Sequence, residues 1–406
     1  MITPSFSLTA TERVLPRLAL DFTTASLDSR ITFTRALNTA TRVNSSGLVE
    51  TVNADLPRFD YDPITKVCKG LLIEESRQNA FLQSEDFSTS WSSINITVST
   101  DATTAPDGNA TADKWIPDNG ATSCWTWQSP LTVATWTQTI FAKYAGITVL
   151  QMNFFSNEDG DRFAQFDLQA GTVGTVSAGV TASITPFDDG WYRCRITYTM
   201  TGLTNQAAQP IRMPSTETGD GTKGYYVWGA QCELGAFPTS YIPTTTTALT
   251  RNADVATMTG TNFSSWYNAN GGSFVFEFEG IKEQPANFTR LFVLYKDASN
   301  SCGVAIFPTG LSSYPFMDTA GVSQLDFITL MIANQSKVGF VFGTNNFKYA
   351  INASIPGVDT VVDIPQLTDF YLGCDQSGAS QINGYLKKVA YYLPVFTSPE
   401  IQAFTK

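Results

Sequence analysis

The stretch that most constrains how this chain can fold is residues 224–254, which read GYYVWGAQCELGAFPTSYIPTTTTALTRNAD. Its first part alternates, because Tyr226, Trp228, Ala230 and Cys232 are separated by single residues. A period of two sends one set of side chains into a core and the other set outward, which is typical of a β-strand. A Gly/Pro-rich segment and a run of threonines follow. The pattern predicts the closing strand of one β-domain, then a seam, then the start of another domain.

Similar alternating runs occur along most of the chain, separated by residues that favour tight turns. Glycine adopts positive φ without a steric penalty, so Asp-Gly and Asn-Gly pairs are common in hairpin turns. Five such pairs are Asp107-Gly108, Asn119-Gly120, Asp159-Gly160, Asp189-Gly190 and Asp220-Gly221. Many short strands with such turns indicate a sandwich or barrel. The sequence therefore predicts an all-β fold with two antiparallel jelly-roll or β-sandwich domains in tandem, preceded by a small β-rich N-terminal adaptor.

The turn signals and composition shifts also suggest domain boundaries. The predicted units are an N-terminal adaptor or attachment arm at 1–83, a jelly roll at 84–244, a Thr-rich linker at 245–255 and a second β-sandwich at 256–406. Because threonine is β-branched, we expect the linker to be stiff and extended. For the N-terminal segment, a loop-rich extension of the first jelly roll remains an alternative.

Composition argues against several classes of function. The net charge is −11 and no run of Lys or Arg is longer than two residues, which argues against nucleic-acid binding. No apolar stretch approaches the length of a membrane span, and we expect neither membrane insertion nor a secretory signal. The chain contains no histidine, which excludes Ser-His-Asp and Cys-His catalysis. The six cysteines are expected to be small buried hydrophobes, with pairing of Cys194 and Cys232 as the alternative.

Neighbouring carboxylates are the remaining candidates for catalysis, since paired acids hydrolyse glycosidic bonds. Asp188-Asp189 and the acids of the 157–161 segment fall at predicted turns, which explains their presence without catalysis. Glu74 and Glu75 are adjacent on a predicted strand and therefore point to opposite faces. We predict that the protein is not an enzyme and needs no cofactor, with calcium as the one ligand left open.

Two groups of residues are candidates for binding. Trp125, Trp127 and Trp136 are predicted to form a platform on which sugar rings stack, the alternative being that they fill the core. Asn157, Glu158, Asp159 and Asp161 supply oxygens at a predicted hairpin tip, which suits a hard cation such as calcium, although the spacing is not that of a full calcium loop. A plain hairpin tip is the alternative there.

Three segments resemble modules of virion structural proteins from tailed bacteriophages. The motifs are YYVWGAQCELGAFPTSYIPT with TRNADV, then LDFTTASLDSRITFTRA with PRFDYDP and KGLLIEESRQNAFLQSEDF, and FDLQAGTVGTV with GWYRCRITYT. Together they cover most of residues 20–255. Within this range the segment at 84–244 is similar to carbohydrate-binding-module jelly rolls, and residues 256–406 resemble laminin-G or concanavalin-like sandwiches.

The resemblance implies a non-enzymatic virion surface protein of the tail fibre, spike or adhesin type. Such a protein would be made in the host cytoplasm without a signal peptide, would contact other virion proteins through its N-terminal region and would bind host-surface glycans. Weakly charged surfaces and edge strands favour assembly as a homotrimer. A capsid decoration or head-fibre protein that stabilises or extends the shell is one alternative, and a glycan depolymerase is another.

Overall fold

The computed structural model describes residues 14–202, 204–282, 288–307, 312–325, 330–331 and 335–406. About 50% of the residues lie in strands and 5% in helices, and the strands form several antiparallel sheets that make up sandwich domains, which confirms the predicted fold class. The N-terminal segment contributes short strands and one turn of 3-10 helix at Phe22–Thr24. Its strands are β1 (Leu18–Asp21), β2 (Thr32–Thr34), β3 (Ala40–Val43), β4 (Val49–Val52), β5 (Phe59–Tyr61), β6 (Cys68–Ile73) and β7 (Arg77–Asn79).

The middle of the chain forms longer strands, and glycine has positive φ at all five predicted Asp-Gly and Asn-Gly turns. This confirms the turn prediction. The strands are β8 (Ser92–Ile94), β9 (Ile96–Thr103), β10 (Ala112–Pro117), β11 (Trp125–Gln128), β12 (Thr135–Ala145), β13 (Val149–Ser156), β14 (Gly160–Asp167), β15 (Thr172–Val176), β16 (Thr181–Pro186), β17 (Trp191–Thr199), β18 (Ala207–Arg212) and β19 (Gly224–Leu234).

The C-terminal part combines strands with two short helices. Helix α2 begins with a capping box in which Thr397 and Glu400 satisfy each other's backbone groups. The elements are β20 (Leu249–Arg251), β21 (Val255–Met258), α1 (Thr261–Ser264), β22 (Gly271–Glu279), β23 (Thr289–Asp297), β24 (Asn300–Ile306), β25 (Ser312–Thr319), β26 (Val322–Ser323), β27 (Leu330–Met331), β28 (Gln335–Gly343), β29 (Asn346–Ile351), β30 (Ser354–Asp359), β31 (Asp369–Leu372), β32 (Gly384–Tyr392) and α2 (Ser398–Phe404).

Strands β8–β19 form a two-layered module, here called the inserted module. Sheet I has six strands in the order β15-β14-β13-β18-β11-β8, and sheet II has six in the order β16-β17-β12-β19-β10-β9. Apolar side chains from both sheets fill the space between them, among them Trp115, Leu150 and Ile196. The outer faces of sheets I and II are therefore the surfaces that this module offers to other molecules or to the rest of the chain.

A second two-layered unit, the composite sandwich, uses strands from both ends of the chain. Sheet III has the order β30-β29-β28-β22-β32-β6-β5, with β1 also on β32, and sheet IV the order β2-β21-β31-β23-β24-β25-β26, with β27 on β25. Leu18 lies opposite Tyr391, and Phe33 lies opposite Ala256. This corrects the separation of 1–83 from 256–406: the N-terminal strands are too short to close a core of their own, and they complete sheets of the C-terminal unit instead.

The chain enters and leaves the inserted module through paired strands. Strand β7 pairs antiparallel with β20, so that Gln78 lies opposite Thr250. The predicted single Thr-rich linker at 245–255 is thus one half of a two-stranded connection, which its β-branched residues favour.

The closing strand β19 contains a bulge that the sequence pattern does not reveal. Gly229 has φ of 62°, and the register with β12 shifts beside it. Because a bulge adds one residue, it reverses which side chains face the core. Val227, Ala230 and Cys232 pack in the core of the inserted module, while Trp228 packs on the opposite face. The predicted single face of Tyr226, Trp228, Ala230 and Cys232 is wrong for this reason.

A buried network of ion pairs, here called the junction network, joins the N-terminal strands to the residues that follow the inserted module. Its members are Arg35, Arg58, Glu74, Arg251 and Asp254, whose side chains are at most 8% exposed. Arg58 donates to Glu74 at 2.7 Å and also to Asp254, and Arg35 donates to Asp254 at 3.1 Å. All five belong to the motifs that carry the resemblance, so those motifs come together in space at the junction of the two units.

Two further features complete the fold. All six cysteines have free thiols, and five of them are buried, which agrees with the expectation of small buried hydrophobes.

In the described part of the chain, no helix has the length and apolar character needed to cross a membrane.

Candidate functional site

Strand β11 places Trp125 and Trp127 on the outer face of sheet I. Thr126 between them is fully buried and accepts a hydrogen bond from the Trp115 indole at 2.7 Å. Because side chains alternate along a strand, the two flanking indoles point away from the core, and both are half-buried. The structure thus brings these two predicted residues together on an accessible surface.

The neighbouring strands extend this surface with polar side chains. Trp125 lies opposite Arg212 on β18, Arg212 lies opposite Gln151 on β13, and Gln151 lies opposite Gln165 on β14. Directly opposed residues in antiparallel strands project from the same face of a sheet. A straight row therefore runs across four strands. We call the surface around it the polar face, and it consists of Trp125, Trp127, Gln151, Asn153, Asp161, Gln165, Gln209 and Arg212.

An arginine links the aromatic and polar parts of this face. The Arg212 guanidinium lies 5.1 Å from the centre of the Trp125 ring and donates to both carboxylate oxygens of Asp161 at 3.0 and 3.1 Å. Asn153 donates to the same carboxylate at 2.6 Å. These contacts fix the guanidinium over the face of the Trp125 indole, so that a ligand meets an oriented cation together with an aromatic ring.

Carboxamides occupy the rest of the row in fixed orientations. The Gln165 side-chain amide donates to Oε1 of Gln151 at 3.1 Å, and the Gln151 side-chain amide donates to Oδ1 of Asn153 at 3.2 Å. Asn153 is fully buried, whereas Gln151 and Gln209 are 7% and 6% exposed. Amides both donate and accept, as sugar hydroxyls do, and side chains already ordered lose little entropy on binding. The arrangement suits a neutral polyhydroxylated ligand that lies along the row.

Trp136 does not belong to the polar face. It lies on β12 in sheet II, is 4% exposed and packs in the core of the inserted module. Its indole donates to the carbonyl of Thr132 at 3.0 Å. The predicted three-residue platform is therefore corrected to two tryptophans, because Trp136 is an inward residue of the facing sheet.

The predicted calcium residues lie at the β13–β14 turn, and their carboxylates point to separate partners. Asp159 accepts from the backbone of Thr201 and Gly202 at 3.0 and 2.9 Å, and Glu158 accepts from Thr204 at 2.6 Å. Asp161 is bound to Arg212 on the polar face. The backbone N–H of Asn157 donates to the Thr204 carbonyl at 2.9 Å. Within the described ranges, no group of three or more Asp, Glu or Cys residues is arranged to hold a metal ion.

Asp159 stabilises this turn through its hydrogen bonds. Burial acts to raise the pKa of its carboxyl, but hydrogen bonds from Thr201, Gly202 and Ser156 outweigh burial and hold the pKa well below its ordinary value. The ionised carboxylate thus joins the β13–β14 turn to the loop after β17.

We expect Asp159→Ala to lower the free energy of unfolding by about 1–3 kcal/mol, because it leaves buried N–H groups without an acceptor. The measurement is thermal unfolding with and without EDTA. The exposed Asp188, paired with Lys66, provides the control Asp188→Ala, which should change stability by less than about 1 kcal/mol. A fall in the melting temperature on adding EDTA that occurs in the unaltered protein but not in Asp159→Ala would show that the turn holds a metal ion.

The other acid pairs also have defined partners. Glu74 belongs to the junction network, and Glu75 pairs with Arg77. Asp188 and Asp189 lie in a short 3-10 turn and pair with Lys66 and Lys143 at 2.8 and 2.7 Å. Each carboxylate thus has a structural explanation.

Sequence reasoning missed most of the polar face. Gln151 and Asn153 alternate with the buried Leu150, Met152 and Phe154 on β13, so the period of two does mark them as outward residues. The sequence does not show that Arg212 and Gln165 lie beside them, because that depends on strand register.

No protein-family model and no curated protein sequence matches the chain. Solved structures with a similar arrangement include the CBM40 of the Ruminococcus gnavus IT-sialidase bound to α2,3-sialyllactose, with 12% identity over 36% of this chain and 88% of that chain, at a TM-score of 0.31. Domain 4 of AbnA, a GH43 extracellular arabinanase from Geobacillus stearothermophilus in complex with arabinotriose, is 14% identical over 38% of this chain and 73% of that chain, with a TM-score of 0.31. Trypanosoma rangeli sialidase in complex with the inhibitor DANA is 12% identical over 75% of this chain and 55% of that chain, with a TM-score of 0.30.

Proposed function

We propose that this chain is a non-enzymatic surface protein of a phage virion, of the tail fibre, spike or adhesin type, that binds host-surface glycans through the polar face. The observation that carries glycan binding is the row Trp125, Arg212, Gln151 and Gln165 across four strands of sheet I. An apolar ring beside ordered amides fits a sugar, which presents an apolar face and a rim of hydroxyls.

The virion location rests on the resemblance of residues 20–255 to phage modules. Contact with other virion proteins through the N-terminal region has the same basis, whereas assembly as a homotrimer is proposed because edge strands and weakly charged surfaces favour assembly. A capsid decoration protein is the alternative, and it predicts that the polar face binds no host glycan.

Replacing both outward tryptophans tests the proposal directly. We expect Trp125→Ala/Trp127→Ala to weaken glycan binding by at least about tenfold, since two lost stacking contacts correspond to roughly 1–3 kcal/mol. A glycan array identifies the ligand, and titration calorimetry with that ligand measures the change in Kd. Because both indoles are half-buried and outside the core, the double variant should remain folded.

Tyr144, which is 39% exposed at the end of β12, offers a matched control. Tyr144→Ala removes an exposed aromatic ring away from the polar face and should leave glycan affinity unchanged. Binding that survives in the double tryptophan variant would exclude the polar face as the site. An array on which the unaltered protein binds no glycan would favour the capsid alternative.

A further inference from the structure

A cleft of about 350 Å³ lies between the outer face of sheet II and the composite sandwich. We call it the seam cleft. Its walls include Ser183, Thr185 and Arg195 of the inserted module, and Lys69 and Lys282 of the composite sandwich. This volume is within the range of small-molecule sites, which is roughly 300–1,000 Å³. The cleft is on the opposite side of the inserted module from the polar face, and the function proposed above does not use it.

Cations without partners line this cleft. Arg195 and Lys282 form no ion pair or side-chain hydrogen bond with the described part of the chain, and the Arg195 Nε is buried without an acceptor. Arg193, two residues along the same strand, donates through Nη2 to Thr139 and to the Thr239 carbonyl, while its own Nε is also unpaired. Arg193 and Arg195 are partly buried, and no carboxylate of the described residues forms an ion pair with Arg195, so its guanidinium can accept an anionic partner from outside the chain.

The acids that line the cleft are already engaged. Asp60 accepts from the Tyr385 hydroxyl at 2.8 Å and from the Val43 backbone at 2.6 Å. Glu74 belongs to the junction network, and Glu279 pairs with Lys387 at 3.1 Å. Five cations line the seam cleft (Arg42, Lys69, Arg193, Arg195 and Lys282) against these three carboxylates, so cations are in excess there although the net charge of the chain is −11. The Lys282 side chain is exposed to solvent and is subject to the like charges of Lys69 and Arg195, in keeping with an electropositive cleft.

Neutral groups beside these cations match a sugar ring. Ser183 lies opposite Arg195, and Thr185 lies opposite Arg193, so that hydroxyls and guanidinium groups alternate on one face. The half-buried Phe187 adds an aromatic wall against Phe141. A free inorganic anion would use the cations but neither the aromatic wall nor most of the volume.

We propose that the seam cleft binds an anionic monosaccharide unit, a sugar ring that carries a carboxylate or a phosphate, with Arg195 and Lys282 pairing with the anionic group. Arginine suits this task because its planar fork matches both carboxylate and phosphate oxygens. The ligand would contact both structural units, so its binding should also stabilise their association.

Titration calorimetry on the full chain tests the proposal with four probes. These are D-glucuronate and glucose 6-phosphate as the two anionic sugars, D-glucose as the neutral ring and inorganic phosphate as the free anion. We expect glucuronate, glucose 6-phosphate or both to bind, and glucose and phosphate to bind at least tenfold more weakly. The anionic sugar that binds more tightly shows whether the cleft prefers a carboxylate or a phosphate group.

The variant Arg195→Gln/Lys282→Gln should weaken binding of the anionic sugar at least tenfold. Because neither side chain has a protein partner in the described residues, its melting temperature should equal or exceed that of the unaltered protein. Arg162 provides a matched control, since it is another partly buried arginine with an unpaired Nε, beside Tyr198 and outside the cleft. Arg162→Gln should leave binding unchanged, as should Trp125→Ala/Trp127→Ala, which separates this site from the polar face.

Four results would overturn the proposal. They are no binding of either anionic sugar at millimolar concentration, equal binding of D-glucose, equal binding of inorganic phosphate, and full binding by the double variant. The comparison with D-glucose is made in the Trp125→Ala/Trp127→Ala background, so that glycan binding at the polar face does not enter it.

Discussion

Asp254→Ala is expected to lower the free energy of unfolding by about 3–5 kcal/mol, because it leaves two buried arginines without their shared carboxylate. Arg35 and Arg58 both bind Asp254, and all three side chains are inaccessible to solvent. Asp254 also accepts from the backbone N–H of Glu74 at 2.9 Å, so the variant removes a contact to the residue that follows β6 as well. These lost contacts lie where the chain leaves the inserted module and re-enters the composite sandwich.

Urea unfolding followed by far-UV circular dichroism measures this effect. Asp28→Ala is the matched control, since Asp28 pairs with Arg30 at 2.7 Å but both side chains are about a quarter exposed. An exposed pair contributes about 0–1 kcal/mol, so the control should differ little from the unaltered protein. If the two variants lose similar stability, the junction network does not hold the two units together.

Local features of the fold could be predicted from the sequence because they depend on neighbouring residues. The positive φ of glycine in the Asp-Gly and Asn-Gly turns follows from the residue type alone. The all-β class follows from the period of two. The bulge at Gly229 was missed because glycine in a strand is compatible with either a regular ladder or a bulge, and pairing with β12 decides between them.

The insertion of one unit into another could not be predicted in this way. Strand β1 pairs with β32, so that Leu20 lies opposite Val389, and no short-range pattern indicates a partner so far along the chain. The residues of the two candidate binding sites are subject to the same limit, because short-range patterns do not reveal contacts between distant parts of the chain. Trp125 and Trp127 were found because tryptophan marks stacking surfaces, whereas Arg195 and Lys282 come together only when both units are assembled. The motifs at Arg58, Glu74 and Asp254 were recognised by resemblance, and their physical role emerges from their contacts.

The second large effect concerns the pH dependence of stability. Burial alone would raise the pKa of Glu74, but the charges of Arg251 and Arg58 and hydrogen bonds from Ser240 and Arg58 lower it from 4.5 to about 2. A depressed pKa in the folded state stabilises the fold above the unfolded pKa, and this contribution is lost as the pH falls from about 4.5 to about 2. The difference corresponds to about 3 kcal/mol at neutral pH.

Glu74→Gln should therefore be about 3 kcal/mol less stable than the unaltered protein at pH 7, and the difference should shrink steadily below pH 4.5. Urea unfolding of both proteins at pH 7, 5, 4 and 3 measures it. Burial raises the pKa of Asp60 and of Glu233, which gives an opposite pH dependence, but both groups are present in the two proteins and largely cancel in the comparison. Glu50→Gln, at a partly exposed pair with Arg42, should change stability by less than about 1 kcal/mol at pH 7. A Glu74→Gln difference that stays constant between pH 7 and 3 would mean that packing and hydrogen bonds, and not the charge of Glu74, stabilise the junction.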